Sequence, residues 1–163
     1  MKKKINNLRT LREIKEISKK KINPKVLKWI NGSAEHGFTT IRNREIFRSI
    51  SIIPEVLNNF KEPKIESIFF GKKISSPILI APVGGLSQFN KKAELIVSEA
   101  SEKKRIPYFL PNNSSYNLKE INPKSKKKYL CRSLYLDQDL DYCKKNIKEA
   151  EEFNCEAITI TVD

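Results

Sequence analysis

Residues 77–83 read Pro77-Ile78-Leu79-Ile80-Ala81-Pro82-Val83, a short unbroken apolar run closed at once by Gly84-Gly85. Seven apolar residues in a row are too few for a membrane helix and lack the alternation of a half-solvated strand. They fit a strand buried on both faces, as in a parallel sheet covered by helices. Further strands read at Ile106 to Leu110, at Tyr129 to Tyr135 and at Ala157 to Val162. Between the runs lie helical stripes: Lys91 to Lys104 with Ala93, Ile96, Val97 and Ala100 on one face, and Asp139 to Asn154 with Leu140, Cys143, Ile147, Ala150 and Phe153. Tyr116 to Ile121 reads as a short helical turn. Four strands alternating with helices predict βα units and a parallel sheet in sequence order. The regularity favours an α/β barrel over an open doubly wound sheet. A dinucleotide fold would need G-x-G-x-x-G after its first strand, and only Val83-Gly84-Gly85-Leu86 stands there.

Working outward towards the N-terminus, Glu66 to Ser75 predicts a hairpin turning at Gly71-Lys72. Residues 47–56 read as irregular and partly extended, and Ser33 to Asn43 as a polar loop or short helix. Ile5, Leu8, Leu11, Ile14 and Ile17 recur every three residues and predict a helix. Asn23-Pro24 starts a second one, with Val26, Leu27, Trp29 and Ile30 as its apolar positions and Gly32 as its end. The chain therefore divides into a helical and irregular segment, 1–65, and four βα units, 66–163. With 163 residues it is short for a closed eight-stranded barrel, which takes about 250.

Composition narrows the function classes. Hydrophobic residues at 39% and charged ones at 31% suit a folded chain. No run approaches a membrane span, and Met1-Lys2-Lys3-Lys4 is followed by no apolar stretch, so neither a transmembrane segment nor a secretory signal is expected and the cytoplasm is the default location. The net charge of +13 comes from lysines spread along the whole chain beside abundant Ile and Asn, a codon-bias pattern rather than a nucleic-acid footprint. Cys131, Cys143 and Cys155 are an odd set without close pairs, which argues for reduced thiols over a disulfide framework or zinc site. The single His36 stands in no familiar nucleophile or metal pattern.

In a barrel, functional groups sit where strands end. Those ends are Pro82-Val83-Gly84-Gly85, Pro111-Asn112-Asn113-Ser114, Ser133-Leu134-Tyr135 and Thr161-Val162-Asp163. Gly84 and Gly85 would let a flat ligand reach backbone amides, and Thr161 and Asp163 put polar groups on an apolar strand. A Gly-Gly pair is also an ordinary turn, and Thr-Val-Asp an ordinary helix cap, so the residues alone leave both readings open.

The order of several short motifs adds to this. Gly32-Ser33-Ala34-Glu35, Thr39, Asn43-Arg44 and Phe47 are followed by Phe70-Gly71-Lys72-Lys73-Ile74-Ser75-Ser76-Pro77-Ile78-Leu79-Ile80-Ala81-Pro82, then Leu134-Tyr135, then Ala157 to Asp163. From about Pro24 onward the chain resembles the FMN-dependent 2-hydroxy acid dehydrogenases and oxidases, the family of glycolate oxidase and the flavin L-lactate dehydrogenases. The resemblance implies the N-terminal half of a TIM (β/α)8 barrel and FMN at its mouth. It implies oxidation of a small L-2-hydroxy acid, of lactate or glycolate type, to the 2-oxo acid. Pro82, Val83 and Gly84 would lie against the flavin ring, Thr161 would bond it, Tyr135 would stand near substrate, and Asp163 would support the catalytic histidine. Three positions depart from the family pattern. Trp29 replaces a substrate-side tyrosine, Pro111 replaces a flavin-contacting serine, and Ser133 replaces a glutamine.

The family's histidine, arginines, flavin lysine and phosphate loop all fall beyond Asp163. The expectation is thus a truncated frame or fragment, catalytically incomplete as it stands, with homo-oligomers expected of a full-length version. The alternative is a non-catalytic half-barrel with no activity of its own.

Overall fold

The computed structural model describes residues 8–57, 59, 62–123, 126–136 and 139–162. They fall into two compact units, 1–60 and 61–163.

The first unit is built of short, well-capped helices. Thr10 opens α1 (Leu11–Lys19) with a capping box: its hydroxyl accepts the Glu13 N–H at 3.2 Å, and the Glu13 carboxylate accepts the N–H groups of Arg9 and Thr10 at 2.8 and 3.0 Å. Those N–H groups hold the Glu13 carboxyl below the ordinary glutamate range. Asn23 caps α2 (Pro24–Ile30), accepting the Lys25 N–H, with Pro24 in the first turn where its missing donor costs nothing. The polar stretch after Gly32 resolves into α3 (Phe38–Glu45), continued by a 3-10 turn at Ile46–Ser49 where an extended segment was expected. None of these elements has a buried residue.

The second unit carries the core. The predicted hairpin forms, β1 (Ser67–Phe69) against β2 (Lys72–Ile74), antiparallel, with Ser67 opposite Ile74. Its turn lies one residue earlier than expected, at Phe70 and Gly71, whose φ angles are 44° and 76°. A two-residue turn that matches strand twist needs positive φ at both central positions; Gly71 adopts it freely and Phe70 at some cost.

Three strands follow in one parallel sheet in the order β3-β4-β5: β3 (Tyr108–Leu110), β4 (Leu130–Tyr135) and β5 (Ile158–Thr161). Three helices connect or precede them: α4 (Ala93–Lys104), α5 (Leu118–Ile121) and α6 (Leu140–Glu152). Residues 77–83 take the expected place beside β3, parallel to it, but only through Ile80. The Ile80 N–H donates to the Pro107 carbonyl at 2.8 Å, and the Ile80 carbonyl accepts the Phe109 N–H at 3.0 Å. Pro82, the next residue facing β3, supplies no N–H, so the ladder does not lengthen beyond Ile80 in that direction. The run is also less covered than a doubly buried strand: Ile78 is 62% exposed and Leu79 41%.

Tyr108, Leu110, Leu118, Ile121, Leu130 and Ala150 form the buried cluster, with Ile80, Val97, Phe153 and Ile158 packed against it. The α4 stripe read from the sequence is corrected. Ile96 and Ala100 point outward, and the buried positions are Glu94, Ser98 and Ser101. Each has a specific partner: Glu94 accepts the Ser115 N–H at 3.4 Å, Ser98 accepts from the Lys127 ammonium at 2.9 Å, and Ser101 donates to the Ile106 carbonyl at 2.6 Å. On α6 the fully covered residues are Asn146 and Ala150, while Leu140 is 68% exposed.

The hairpin closes the N-terminal end of the sheet. Lys72 forms an ion pair with Glu156, which precedes β5, and donates to the Lys128 carbonyl, which precedes β4, at 2.8 Å. The Tyr129 hydroxyl donates to the Lys73 carbonyl at 3.2 Å, and Phe69 meets Phe109 edge-on at 6.2 Å. No helix among the described residues is long and apolar enough to cross a membrane.

Candidate functional site at the C-terminal ends of the strands

Strand register decides which side chains share a face. Tyr135 pairs with Thr161 and Ser133 with Thr159. Alternation then places Ser133, Tyr135, Thr159 and Thr161 on one face of the sheet. The opposite face carries Leu110, Leu130, Arg132 and Ile158, which are registered with one another and belong to the helix-covered side. A row of hydroxyls thus lines the face turned away from the apolar cluster, and it reaches the C-terminal end of β4 and β5.

Coverage grades this set. Val83 and Tyr135 are each 51% exposed, Pro82 is exposed, and Gly84 and Thr161 are half-buried. Pro111 is buried and Ser133 is 3% exposed, so these two lie beneath the surface that an incoming molecule would meet. The Pro111 carbonyl is engaged internally, accepting the Ser114 N–H at 3.1 Å and the Arg132 guanidinium at 2.9 Å. Asp163 lies outside the described residues. Trp29 belongs to the first unit and is 67% exposed, so it is not a core tryptophan there. His36 is exposed in the same unit.

The loops after the first two strand positions are tied to each other. A Cβ built on Gly84 would lie 2.7 Å from the Asn113 amide nitrogen and within 3 Å of its side-chain carbon, so the glycine lets the exposed Asn113 side chain rest on this edge. The Ser115 hydroxyl donates to Ser87 at 2.7 Å, and the Tyr116 hydroxyl to the Lys91 carbonyl at 2.9 Å. The loop after the first strand position is therefore bonded to the next βα unit at Ser87 and Lys91, and Gly84 packs against it at Asn113.

Two residues of this wall have roles that the sequence did not assign, although Asn113 stands in the second strand end. Asn113 carries no motif and is identified only by its contact with Gly84. Arg132 had a visible signal, a lone charge inside the apolar run Tyr129 to Tyr135. It is 8% exposed, and burial pulls its guanidinium below the ordinary arginine range, partly offset by Glu149. Under the same loops lies a buried polar pair. Tyr108 OH and Glu94 Oε2 have no hydrogen-bond partner, and burial, reinforced by the Glu94 charge, pushes the Tyr108 phenol upward. Among the described residues no group of three metal-ligating side chains converges.

Comparison with known proteins adds three findings. Residues 18–163 match the family described as FMN-dependent dehydrogenase. The chain is 26% identical over 151 residues to an L-lactate dehydrogenase of Acinetobacter baylyi and 24% identical to one of Haemophilus influenzae. Each alignment covers 93% of this chain and 39% of the relative. Among solved structures, mandelate oxidase superposes with a TM-score of 0.86 at 24% identity, over 94% of this chain and 44% of that one. That likeness shows the fold, a partial α/β barrel. The chain spans about two-fifths of the length of the curated relatives it matches.

Proposed function

The chain belongs to the FMN-dependent dehydrogenase family, and from that premise we propose that it forms the flavin-ring wall of an enzyme oxidising a small L-2-hydroxy acid, of lactate or glycolate type, to its 2-oxo acid. One observation carries the reading. The register sets Tyr135 beside Thr161 on the face opposite the core, at the strand end shared with the glycine-lined edge Pro82 to Gly84.

The donor set fits a flavin ring. Thr161 and Tyr135 offer neutral hydroxyls, and the Pro82–Gly84 edge offers backbone groups with no side chain in the way at Gly84. A flat, uncharged heteroaromatic ring with polar edges asks for donors of this kind. FMN when bound supplies the two-electron acceptor for hydride removal from C2 of the hydroxy acid. The chain's own residues have narrower tasks. Pro82, Val83 and Gly84 face the ring, Thr161 bonds its edge, and Tyr135 orients substrate. Pro111 and Ser133 form the floor beneath the ring. Asp163 is assigned to the histidine of the complete site, holding the imidazole charged after it takes the hydroxyl proton. The second reading, a half-barrel without activity, is supported by the exposure of Ile78, Leu79 and Ile160 on the sheet's outer strand positions.

Because these residues face the ring rather than the phosphate, the purified chain is expected to bind riboflavin and FMN with the same weak affinity. Fluorescence quenching titrations measure this directly. Thr161→Val should weaken both flavins alike. Tight, stoichiometric binding with a strong preference for FMN over riboflavin would place the principal contacts elsewhere and overturn the assignment.

A further inference from the structure

Arg132 faces the helix-covered side of β4, away from the hydroxyl row, yet its guanidinium reaches the candidate site from below. Nη1 donates to the Pro111 carbonyl at 2.9 Å and Nη2 to the Asn112 carbonyl at 3.4 Å. These are the first two residues beyond β3, so a side chain of the third βα unit grips the loop of the second. The next residue, Asn113, is the one packed against Gly84 of the first unit. The connection from the guanidinium to the flavin-facing edge therefore runs through three consecutive residues of one loop.

Burial makes the grip selective. With 8% exposure, the guanidinium has little access to water, and a planar fork presents two donors to two adjacent carbonyls at fixed spacing. A hydrophobic residue of similar length would fill the volume and leave both carbonyls without that donor. Glu149, Tyr142 and Cys155 share its electrostatic surroundings, which places the head group between α6, the start of β5 and the loop.

We propose that Arg132 is a positioning residue of the site. It holds Pro111 and Asn112 so that Asn113 stays seated on Gly84, which fixes the backbone edge offered to the ligand. The ligand consequence rests on the flavin reading above, whereas the loop consequence stands on geometry alone.

The test compares the whole chain with Arg132→Met, Arg132→Lys and Asn113→Ala, using residue-resolved amide exchange and riboflavin quenching. In Arg132→Met, exchange at Ser114, whose N–H shares the Pro111 carbonyl, and at Ser115 should rise about ten-fold or more. The sheet amides of Tyr108 and Phe109 should change by less than about two-fold. Riboflavin affinity should fall about ten-fold, and Arg132→Lys, with a single ammonium for two carbonyls, should recover part of both effects. Asn113→Ala should lower riboflavin affinity to a similar degree without opening Ser114, and combining it with Arg132→Met should add nothing further. Unchanged Ser114 exchange, a rise that spreads across the sheet, or additive effects in the double variant would each overturn the positioning role. If the unaltered chain does not quench riboflavin while Arg132→Met still opens Ser114 and Ser115, the flavin reading fails and the positioning role stands.

Discussion

The two ends of the parallel sheet are held together in different ways. At the N-terminal end the closing contacts are charged or aromatic and span long stretches of chain: Lys72 with Glu156, Arg105 with Glu66 at 3.5 Å, and Phe69 with Phe109. At the C-terminal end the rim contacts are uncharged and run from each loop to its neighbour, Gly84 with Asn113, Ser87 with Ser115, and Lys91 with Tyr116, while the one charged group, the Arg132 guanidinium, grips the loop from beneath. The first end is a plug that fixes the strands. The second is a rim that leaves hydroxyls and backbone groups facing outward. This is the division of labour expected of a barrel, with stability at one end and chemistry at the other.

The largest effect should come from the core that both ends share. Leu110 is fully buried between them, and Leu110→Ala is expected to cost about 2–5 kcal/mol through lost burial and an unfilled cavity. Urea unfolding monitored by circular dichroism reads this. A cost near that of a surface change would mean that the two ends are stabilised separately.

The rim comes next. Gly84→Ala puts a methyl where the exposed Asn113 amide sits, and that side chain must swing aside, so stability should fall by no more than about 1 kcal/mol, with riboflavin affinity falling more steeply than stability. Equal affinity in the variant would show that the Gly84 edge is not presented to a ligand.

Breaching the plug is expected to leave the ligand face untouched. The Lys72 and Glu156 side chains are 28% and 22% exposed, so solvent screens their pair in part. Lys72→Met should cost about 1 kcal/mol, less in high salt, and leave riboflavin quenching unchanged. A change in flavin affinity would break the separation of the two ends.

The smallest effect is on the thiols. Burial pushes Cys131 up to about 12 and Cys155 up to about 11 from an ordinary value of 9.0. Raised acid groups favour the folded state below the unfolded value. That contribution should be lost as pH climbs from about 9 through these folded values, because the unfolded chain releases its protons first. Alkylation of the native chain at pH 8 should therefore leave Cys131 and Cys155 unmodified, as mass spectrometry would show. Rapid labelling of Cys131 would show that the middle of β4 is open to water.

Much of this architecture was legible in the residues. Apolar runs alternating with helical stripes predict parallel βα units, because a strand covered on both sides has no polar face to display. The hairpin was readable from Gly71, and the hydroxyl and glycine positions followed from where the runs end. The weak first strand was half-visible, in that Pro77 and Pro82 bracket it. The polar face of α4 was not, because Glu94, Ser98 and Ser101 match no apolar stripe and are buried through partners on distant loops.

The sequence by itself determined the order of the elements, the family motifs and the candidate residues at each strand end, since these depend on local periodicity and on which residues occur where. Only the tertiary structure decided that Tyr135 stands beside Thr161, that Pro111 and Ser133 lie beneath the exposed rim, and that Arg132 reaches under the loop carrying Asn113. Those are facts of register and burial. A one-residue slip between neighbouring strands reverses which face a side chain takes, and the chemistry of the individual residues does not encode the slip.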